Sequence, residues 1–215
     1  MDARTQTLRL VQRLEDLLDQ FPLSSVIRSH AELTEEALDD WSERLRDLGN
    51  PARKYWDHPS ELMYDKAGVL LGAMFVLIQA AITETVSIVN RIYHLNGQTI
   101  RKNALMSLDA ERNLKTGLSY VAIANGAANF YKHRFEWPGD WHGSVTRQQV
   151  DTISLVRTVG MSPEQDLADN LLSAVHAITG TSDRTPKDLP DLVVGKWRER
   201  LALSLRIQFG LTQYP

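Results

Sequence analysis

The sequence predicts an all-α protein, an up-and-down bundle of helices around two long central antiparallel helices. Apolar residues recur at three- and four-residue steps through most of the 215 residues, which is the period of an amphipathic helix. No stretch alternates as a strand would, and residues 60–95 and 99–137 are each long enough for a central helix. The short connection between these segments predicts that they run antiparallel, and the length favours one domain over 1–215.

Residues 1–50 are predicted to form an acidic pair of amphipathic helices, because they hold eleven acidic against six basic side chains. Pro22 is expected to end the first helix, and Ser29 with Glu32 has the spacing of a capping box that starts the second. The apolar faces consist of Leu8, Val11, Leu14, Leu17, Leu18 and Phe21 in the first helix and Leu38, Trp41, Leu45 and Leu48 in the second, before Gly49.

The run AGVLLGAMFVLIQAAI at 67–82 is apolar around nearly the whole helix, which is typical of the centre of a bundle. A membrane span needs about 20 apolar residues, whereas this shorter run contains Gln79 and is soon followed by Glu84. We therefore expect no membrane insertion. Gly68 and Gly72 have the spacing that allows close approach of a neighbouring helix.

The second central helix is predicted to follow a stop at Asn96 and Gly97 and to extend to Pro138. Gly117 and Gly126 are expected to allow a kink in it. Its apolar face would consist of Ile100, Leu105, Leu108, Leu114, Leu118, Val121 and Ile123.

Residues 145–215 are predicted to form the C-terminal helices. One covers 146–159, and the run SPEQ at 162–165 predicts the start of the next, because it combines an N-cap, a proline and a capping-box partner. Gly180 would end that helix, and 180–190 reads as a loop. A last helix is expected over 192–209, with Val193, Trp197, Leu201 and Leu205 inside.

Composition excludes several kinds of chemistry. The chain has no cysteine, so it has no disulfide framework, thiolate nucleophile or cysteine-ligated metal. It also has no Gly-rich phosphate loop, His-Glu-x-x-His pair or nucleophile elbow. Since these motifs are missing, we expect no cofactor or metal. The N-terminal residues lack the apolar region of a signal peptide, so we expect a cytoplasmic protein.

The stretch ANFYKHRFEW at 128–137 is the main candidate site. Helical spacing puts Asn129, Lys132, His133 and Glu136 on one face, and the helix dipole favours cations in a last turn. This arrangement fits a purely structural basic helix end, with Phe130, Phe135 and Trp137 buried. It also fits a functional surface that includes Arg134.

Two kinds of chemistry are open to this stretch. A histidine beside Lys132 or Arg134 can move a proton and neutralise a phosphate, which is the minimum for metal-independent RNA cleavage by the ribose 2′-hydroxyl. Aromatic side chains such as Trp137 and Trp141 can stack on unpaired bases. Alternatively, a divalent metal could be held across the Pro-Gly turn by His133, Glu136, Asp140 and His142, whose spacing matches no standard ligand pattern.

The layout of residues 128–133 resembles that of the HEPN superfamily (higher eukaryote and prokaryote nucleotide-binding domains). Nuclease members carry an arginine, usually a polar residue after it, and a histidine after four to six intervening residues. Asn129 and His133 match, whereas Ala128 occupies the place of the arginine. Since that arginine is expected to stabilise the transition state, the resemblance implies a homologue that does not cleave, or a substitute such as Arg134 or Lys132. The stretch also resembles uncharacterised bacterial helical proteins with an Asn-aromatic-aromatic-Lys-His-Arg-x-Glu-Trp signature.

A second candidate is RKYWDH at 53–58, in which Arg53 and His58 are separated by four residues. One interpretation is a loop whose Tyr55 and Trp56 cover the end of the bundle. In the other, Arg53 approaches residues 133–142 across the antiparallel central helices and replaces the missing arginine.

We therefore expect a HEPN-like binding or regulatory protein of a bacterial toxin–antitoxin or antiviral defence system, acting on RNA or a protein partner and forming a homodimer. Its binding residues would be Asn129, Lys132, Arg134, Glu136, Trp137 and Trp141. One alternative is a metal-independent endoribonuclease that uses His133 with Arg53, His58, Lys132 or Arg134. Another is an immunity or adaptor protein that binds its partner through the acidic N-terminal helices.

Overall fold

The computed structural model describes residues 2–17, 22–47, 58–142, 146–180 and 185–211. These ranges are helical and contain no strand, only an isolated bridge between Arg112 and Ser119, which confirms the all-α prediction. The α-helices are α1 (Ala3–Asp16), α2 (Pro22–Asp47), α3 (His58–Leu95), α4 (Lys102–Leu105), α5 (Tyr120–His133), α6 (Arg147–Thr158), α7 (Leu167–Thr179) and α8 (Lys196–Gln208). Short 3₁₀ turns cover Arg134–Glu136 and Pro186–Asp188, and a π-helical turn covers Asp191–Gly195.

Helix α1 begins at a cap in which the Asp2 carboxylate accepts a hydrogen bond from the Thr5 backbone N–H at 2.8 Å. It packs against α3 and α8. At its other end Arg206 of α8 donates two hydrogen bonds of 2.7 Å to the carboxylate of Glu15. This pairing raises the pKa of the Arg206 guanidinium and fixes α1 against the C-terminal helix.

The predicted start of the second helix at Ser29 is wrong, because α2 already begins at Pro22 and Ser29 lies inside it. Proline is well suited to a first helical position, and the buried residues Ile27, Ala31 and Thr34 continue the helical repeat through Ser29. Several predicted landmarks lie outside the described residues: Leu18, Phe21, Leu48, Gly49 and the side chain of Leu45.

Helix α3 is the central element, as the apolar run predicted, and it contacts α1, α2, α5 and α7. Leu71, Phe75 and Ile78 are fully buried. Gly97, with φ of +68°, ends the helical region as expected. Among the described residues, α3 is the one helix long and apolar enough to cross a membrane, and half of its most apolar window is buried inside the protein.

The predicted second long helix over 99–137 is interrupted. After the single turn of α4, residues 106–119 form turns, and Leu114 is fully exposed instead of lying on an apolar face. Asn113 explains the break: its side-chain oxygen accepts hydrogen bonds from the backbone N–H groups of Lys115 and Thr116, and its amide donates to the Ala177 carbonyl. Such local bonds satisfy the backbone without a helix. Gly117 lies in this turn with φ of +71°.

Glycines allow three helices to approach α3 and α5 closely. A Cβ atom on Gly72 would lie 2.0 Å from the ring of Tyr131 in α5, and one on Gly68 would lie 3.2 Å from the backbone nitrogen of Ala168 in α7. The predicted tight packing at this pair is confirmed. Gly126 likewise allows α6 to approach α5: a Cβ there would lie 2.5 Å from the side chain of Leu155 of α6.

The C-terminal helices follow the sequence closely, with one exception. Thr146 and Gln149 form a capping box at the start of α6, and Gly180, with φ of +67°, ends α7. The predicted start of α7 at 162–165 is wrong, because the helix begins at Leu167. Buried Asn170 holds 162–165 as a turn. Its side-chain oxygen accepts a hydrogen bond of 2.8 Å from the Ser162 N–H, and its amide nitrogen donates to the Ser162 and Gln165 carbonyls at 3.0 Å.

Helix α8 is buried along the predicted side, where Trp197, Leu201 and Leu205 lie in the core. Val193, also predicted inside, is buried in the π-helical turn before α8. The buried Arg198 guanidinium in the same helix donates to Thr85 Oγ1 at 2.7 Å and to the Ala81 carbonyl at 3.0 Å, and it lies 3.7 Å from the Glu84 carboxylate. Burial lowers the pKa of Arg198, although Glu84 partly offsets this.

Substitution of Gly72 by alanine is expected to lower the free energy of unfolding by about 1–3 kcal/mol, because the added Cβ overlaps the Tyr131 ring. Urea titration followed by circular dichroism would measure it. The matched control is Gly139→Ala, where the Cβ meets nothing within 4 Å and the change should stay within about 0.5 kcal/mol. Equal unfolding midpoints for the two variants would contradict the close approach of α5 to α3.

Candidate functional site

Helix α5 and the turn after it place the residues of 128–137. The helix starts at Ser119, whose side-chain oxygen accepts from the Ala122 N–H at 3.1 Å and donates to the Met106 carbonyl at 2.7 Å. It ends at His133, where the chain tightens into the 3₁₀ turn Arg134–Glu136. The chain then turns sharply, with a hydrogen bond of 2.8 Å from Trp141 N–H to the Pro138 carbonyl.

Three aromatic side chains of this region form a buried cluster. The rings of Phe130, Trp137 and Trp141 lie 5.4 to 5.6 Å apart between centroids, and both tryptophans are only 7% exposed. The predicted burial of Phe130 and Trp137 is confirmed. The tryptophans were also candidates for stacking on bases, but their rings are used in packing within the protein.

Phe135 differs from these aromatics, and its predicted burial is wrong: the side chain is 86% exposed. It lies in the 3₁₀ turn, where each residue advances by about 120° instead of the 100° of an α-helix, so the buried side of α5 does not continue to it. The guanidinium of Arg134 lies 4.2 Å from the centroid of the Phe135 ring and 4.8 Å from that of Tyr131. Arg134 also donates a hydrogen bond to the Tyr131 carbonyl.

Gln79, the polar residue within the apolar run of α3, is 9% exposed and organises the neighbouring side of α5. Its amide nitrogen donates to the side-chain oxygens of Asn129 at 2.8 Å and Asn125 at 3.0 Å. Its oxygen accepts a hydrogen bond of 2.6 Å from the ammonium of Lys132. One buried amide therefore fixes three polar residues of α5, one helical turn apart.

His133 and Glu136 lie beside a cavity of about 250 Å³ between the end of α5 and the start of α6. His133 Nδ1 lies 3.1 Å from Glu136 Oε1, and both side chains are substantially exposed. The cavity is also lined by Asn129, Trp137, Thr146, Gln148, Gln149 and Thr152. Among the described residues that line it there is no lysine or arginine.

The residues of the predicted surface therefore divide into two groups. Asn129, His133 and Glu136 share the cavity, as the helical spacing predicted. Lys132 is directed to Gln79 and Arg134 to the exposed Phe135 ring, so neither cation lines the cavity with His133.

The position of the missing arginine is informative. Ala128 is fully buried in α5, so the side chain at this position faces the core and not the cavity. Arg53 lies outside the described residues, and so do Tyr55 and Trp56. His58 is the first residue of α3, but its side chain is not among those described. A contribution of Arg53 to the site thus stays a prediction.

The four residues considered for a metal do not converge. His142 Nε2 lies 2.9 Å from the guanidinium of Arg157, in a separate cavity beside Trp141, whereas His133 pairs with Glu136. Asp140 accepts the backbone N–H of His142. Within the described ranges, no three histidine, aspartate or glutamate side chains are grouped so that they could hold a metal ion.

Sequence reasoning missed two features of the site. The single glutamine within sixteen otherwise apolar residues was a signal that Gln79 has buried polar partners, although their identity depends on how α5 packs against α3. The polar residues at the start of α6 that line the cavity, such as Thr146 and Gln149, gave no separate signal, because both residues are already used in the capping box of that helix.

The chain matches no protein-family model, no curated protein and no solved structure. Any functional interpretation therefore depends on the geometry described above.

Replacing Gln79 by leucine is expected to lower the free energy of unfolding by about 1–3 kcal/mol, since Asn129 and Lys132 lose their buried partner. The control is Asn90→Leu, an exposed amide on the same helix, whose effect should lie within about 0.5 kcal/mol. Denaturant unfolding monitored by tryptophan fluorescence would compare them. Two equally stable variants would mean that the Gln79 network contributes nothing to the packing of α5.

Proposed function

We propose that this protein binds single-stranded RNA without cleaving it, as a regulatory component of a bacterial toxin–antitoxin or antiviral defence system. The contact is made by the Arg134 surface, which consists of Lys132, Arg134 and Phe135. The observation that carries the proposal is the Phe135 ring, 86% exposed, with the Arg134 guanidinium 4.2 Å from its centroid.

This arrangement suits an unpaired nucleotide. An exposed aromatic ring gives a face on which any base can stack, worth about 1–3 kcal/mol per base. The guanidinium beside the ring adds a cation that can contact a phosphate. Lys132 lies in the last turn of α5, two residues before Arg134, and adds a second positive charge to this end of the helix. Because Arg134 is already held by the Tyr131 carbonyl, little side-chain freedom is lost when RNA binds.

The surroundings of His133 support binding over cleavage. Metal-independent cleavage needs a cation near the phosphate as well as an acid or base, and no lysine or arginine of the described ranges lines the cavity of His133. Ala128 is buried, Lys132 bonds Gln79, and Arg134 contacts Phe135. A nuclease with His133 as the acid and base would therefore depend on a cation outside the described residues, such as Arg53.

Phe135→Ala is expected to raise the dissociation constant for a labelled twelve-nucleotide oligouridine by about five- to a hundredfold, because one base loses its stacking partner. Fluorescence anisotropy would measure it. Leu114→Ala removes a fully exposed apolar side chain from a different segment and should leave the affinity unchanged. Equal affinities of wild type and Phe135→Ala would refute the proposed surface.

The salt dependence of binding tests the charge on the same surface. In Arg134→Gln, the slope of log K against log salt concentration should be smaller in magnitude by about 0.7, the value for one phosphate contact on a single strand. Titrations at four salt concentrations would give the slope. The control is Arg200→Gln in α8, and a slope that falls equally in both variants would indicate a diffuse charge effect.

Incubation of the protein with RNA separates binding from catalysis. We expect intact RNA after prolonged incubation with micromolar protein in EDTA. Cleavage that persists in EDTA and disappears in His133→Ala would contradict the binding proposal and show that the protein is a metal-independent endoribonuclease.

A second candidate function is binding of a protein partner through the acidic N-terminal helices. Val26 and Leu33 are about half exposed on α2, two turns apart, and Glu32 and Glu36 are exposed beside them. A basic amphipathic segment is the complementary partner. This function would be favoured if the protein does not bind RNA but binds a protein partner, and if Leu33→Asp abolishes that binding.

A further inference from the structure

Helix α3 has an apolar side that faces solvent although the helix is the centre of the fold. We call this side the α3 strip. None of the residues that form it is buried, and Val69 is about half exposed. The strip repeats every seven residues along two rows, with apolar or small side chains at every position. It consists of Val69, Ala73, Val76, Ala80, Thr83 and Ser87.

The strip borders an open groove of about 590 Å³ between α3 and α1, to which Leu10 and Arg13 contribute. Val76, Ala80, Thr83 and Ser87 of the strip line this groove. Side chains this small allow the backbone of another helix to come close, and an apolar strip on the surface of a monomer marks an interaction site. The shape therefore fits a helix better than a small polar ligand.

The charges at the two ends of the strip indicate which helix this is. Asp65 and Arg91 are exposed on α3, with residue 78 midway between them, and lie about 39 Å apart along the helix axis. Two copies of α3 related by a two-fold axis at residue 78 run antiparallel, so each Asp65 faces the Arg91 of the other copy. Lys66 then faces the uncharged Asn90, and no like charges meet.

We propose that a second copy of this chain covers the α3 strip, in a two-fold symmetric homodimer whose α3 helices cross antiparallel at the level of residue 78. The same axis opposes residues along the whole strip, each of them exposed or partly exposed. The opposed pairs are Val69 with Ser87, Ala73 with Thr83, and Val76 with Ala80.

Other occupants fit these observations less well. A membrane surface would require a basic polar side next to the apolar strip, whereas acidic Asp65 and Glu84 lie beside it with the basic residues. An unrelated helix needs no symmetry in the chain, yet Asp65 and Arg91 are placed as a two-fold axis requires. The dimer is also independent of RNA binding, because the Arg134 surface contributes nothing to the strip.

Charge reversal tests the symmetric pairing directly. Asp65→Arg and Arg91→Asp should each raise the dimer dissociation constant about tenfold at low salt, because each creates a like-charge contact on both sides of the axis. The double variant Asp65→Arg with Arg91→Asp should restore dimer formation. Sedimentation equilibrium over a range of concentrations measures all four proteins, and a double variant no better than the single ones would overturn the antiparallel register.

A second experiment tests the strip itself. Ala80→Glu should raise the dimer dissociation constant about a hundredfold or more, because a charge would be buried at the centre of the interface. Since Ala80 is exposed in the monomer, circular dichroism should show an unchanged fold. Leu203→Glu, on the exposed side of α8, is the control and should remain dimeric. Wild-type protein that stays monomeric at 100 micromolar overturns the proposal, whatever its affinity for RNA.

Discussion

The contact of Tyr131 with Gly72 is the constraint on which the rest of the site depends. Because Gly72 has no side chain, the Tyr131 ring fills the space against α3 and brings α5 close to it. The buried amide of Gln79, two turns further along α3, then fixes Asn125 and Asn129 of α5. Two contacts at different levels of α3 fix the rotation of α5, and that rotation decides which residues of 128–133 reach solvent.

The rotation of α5 also separates His133, the candidate acid and base, from the candidate cations. Ala128 faces the core, so this position cannot supply a cation to the cavity of His133. The ring that packs on Gly72 also contacts the Arg134 guanidinium, which in turn lies against exposed Phe135. Contacts thus extend from the centre of the bundle to the exposed Phe135 ring, on which the proposed binding surface depends.

Apolar spacing predicted α3, α6 and α8 because these helices bury one continuous side, as Trp197 and Leu201 illustrate. It failed where polar side chains compete for the backbone: Asn113 holds a turn within the expected second central helix, and Asn170 delays the start of α7. Helical spacing also grouped Asn129, His133 and Glu136 correctly. It misplaced Phe135, because a 3₁₀ turn after His133 cannot be read from periodicity.

Photochemical cross-linking of the protein to a 4-thiouridine oligonucleotide, followed by mass spectrometry of the peptides, would identify the residues that contact RNA. If the Arg134 surface holds an unpaired base, the adducts should lie on Phe135 or on Tyr131 beside it. Residues 91–115 are the competing site, since they hold five basic and two acidic side chains. Adducts confined to that segment, with none in 131–137, would contradict the account.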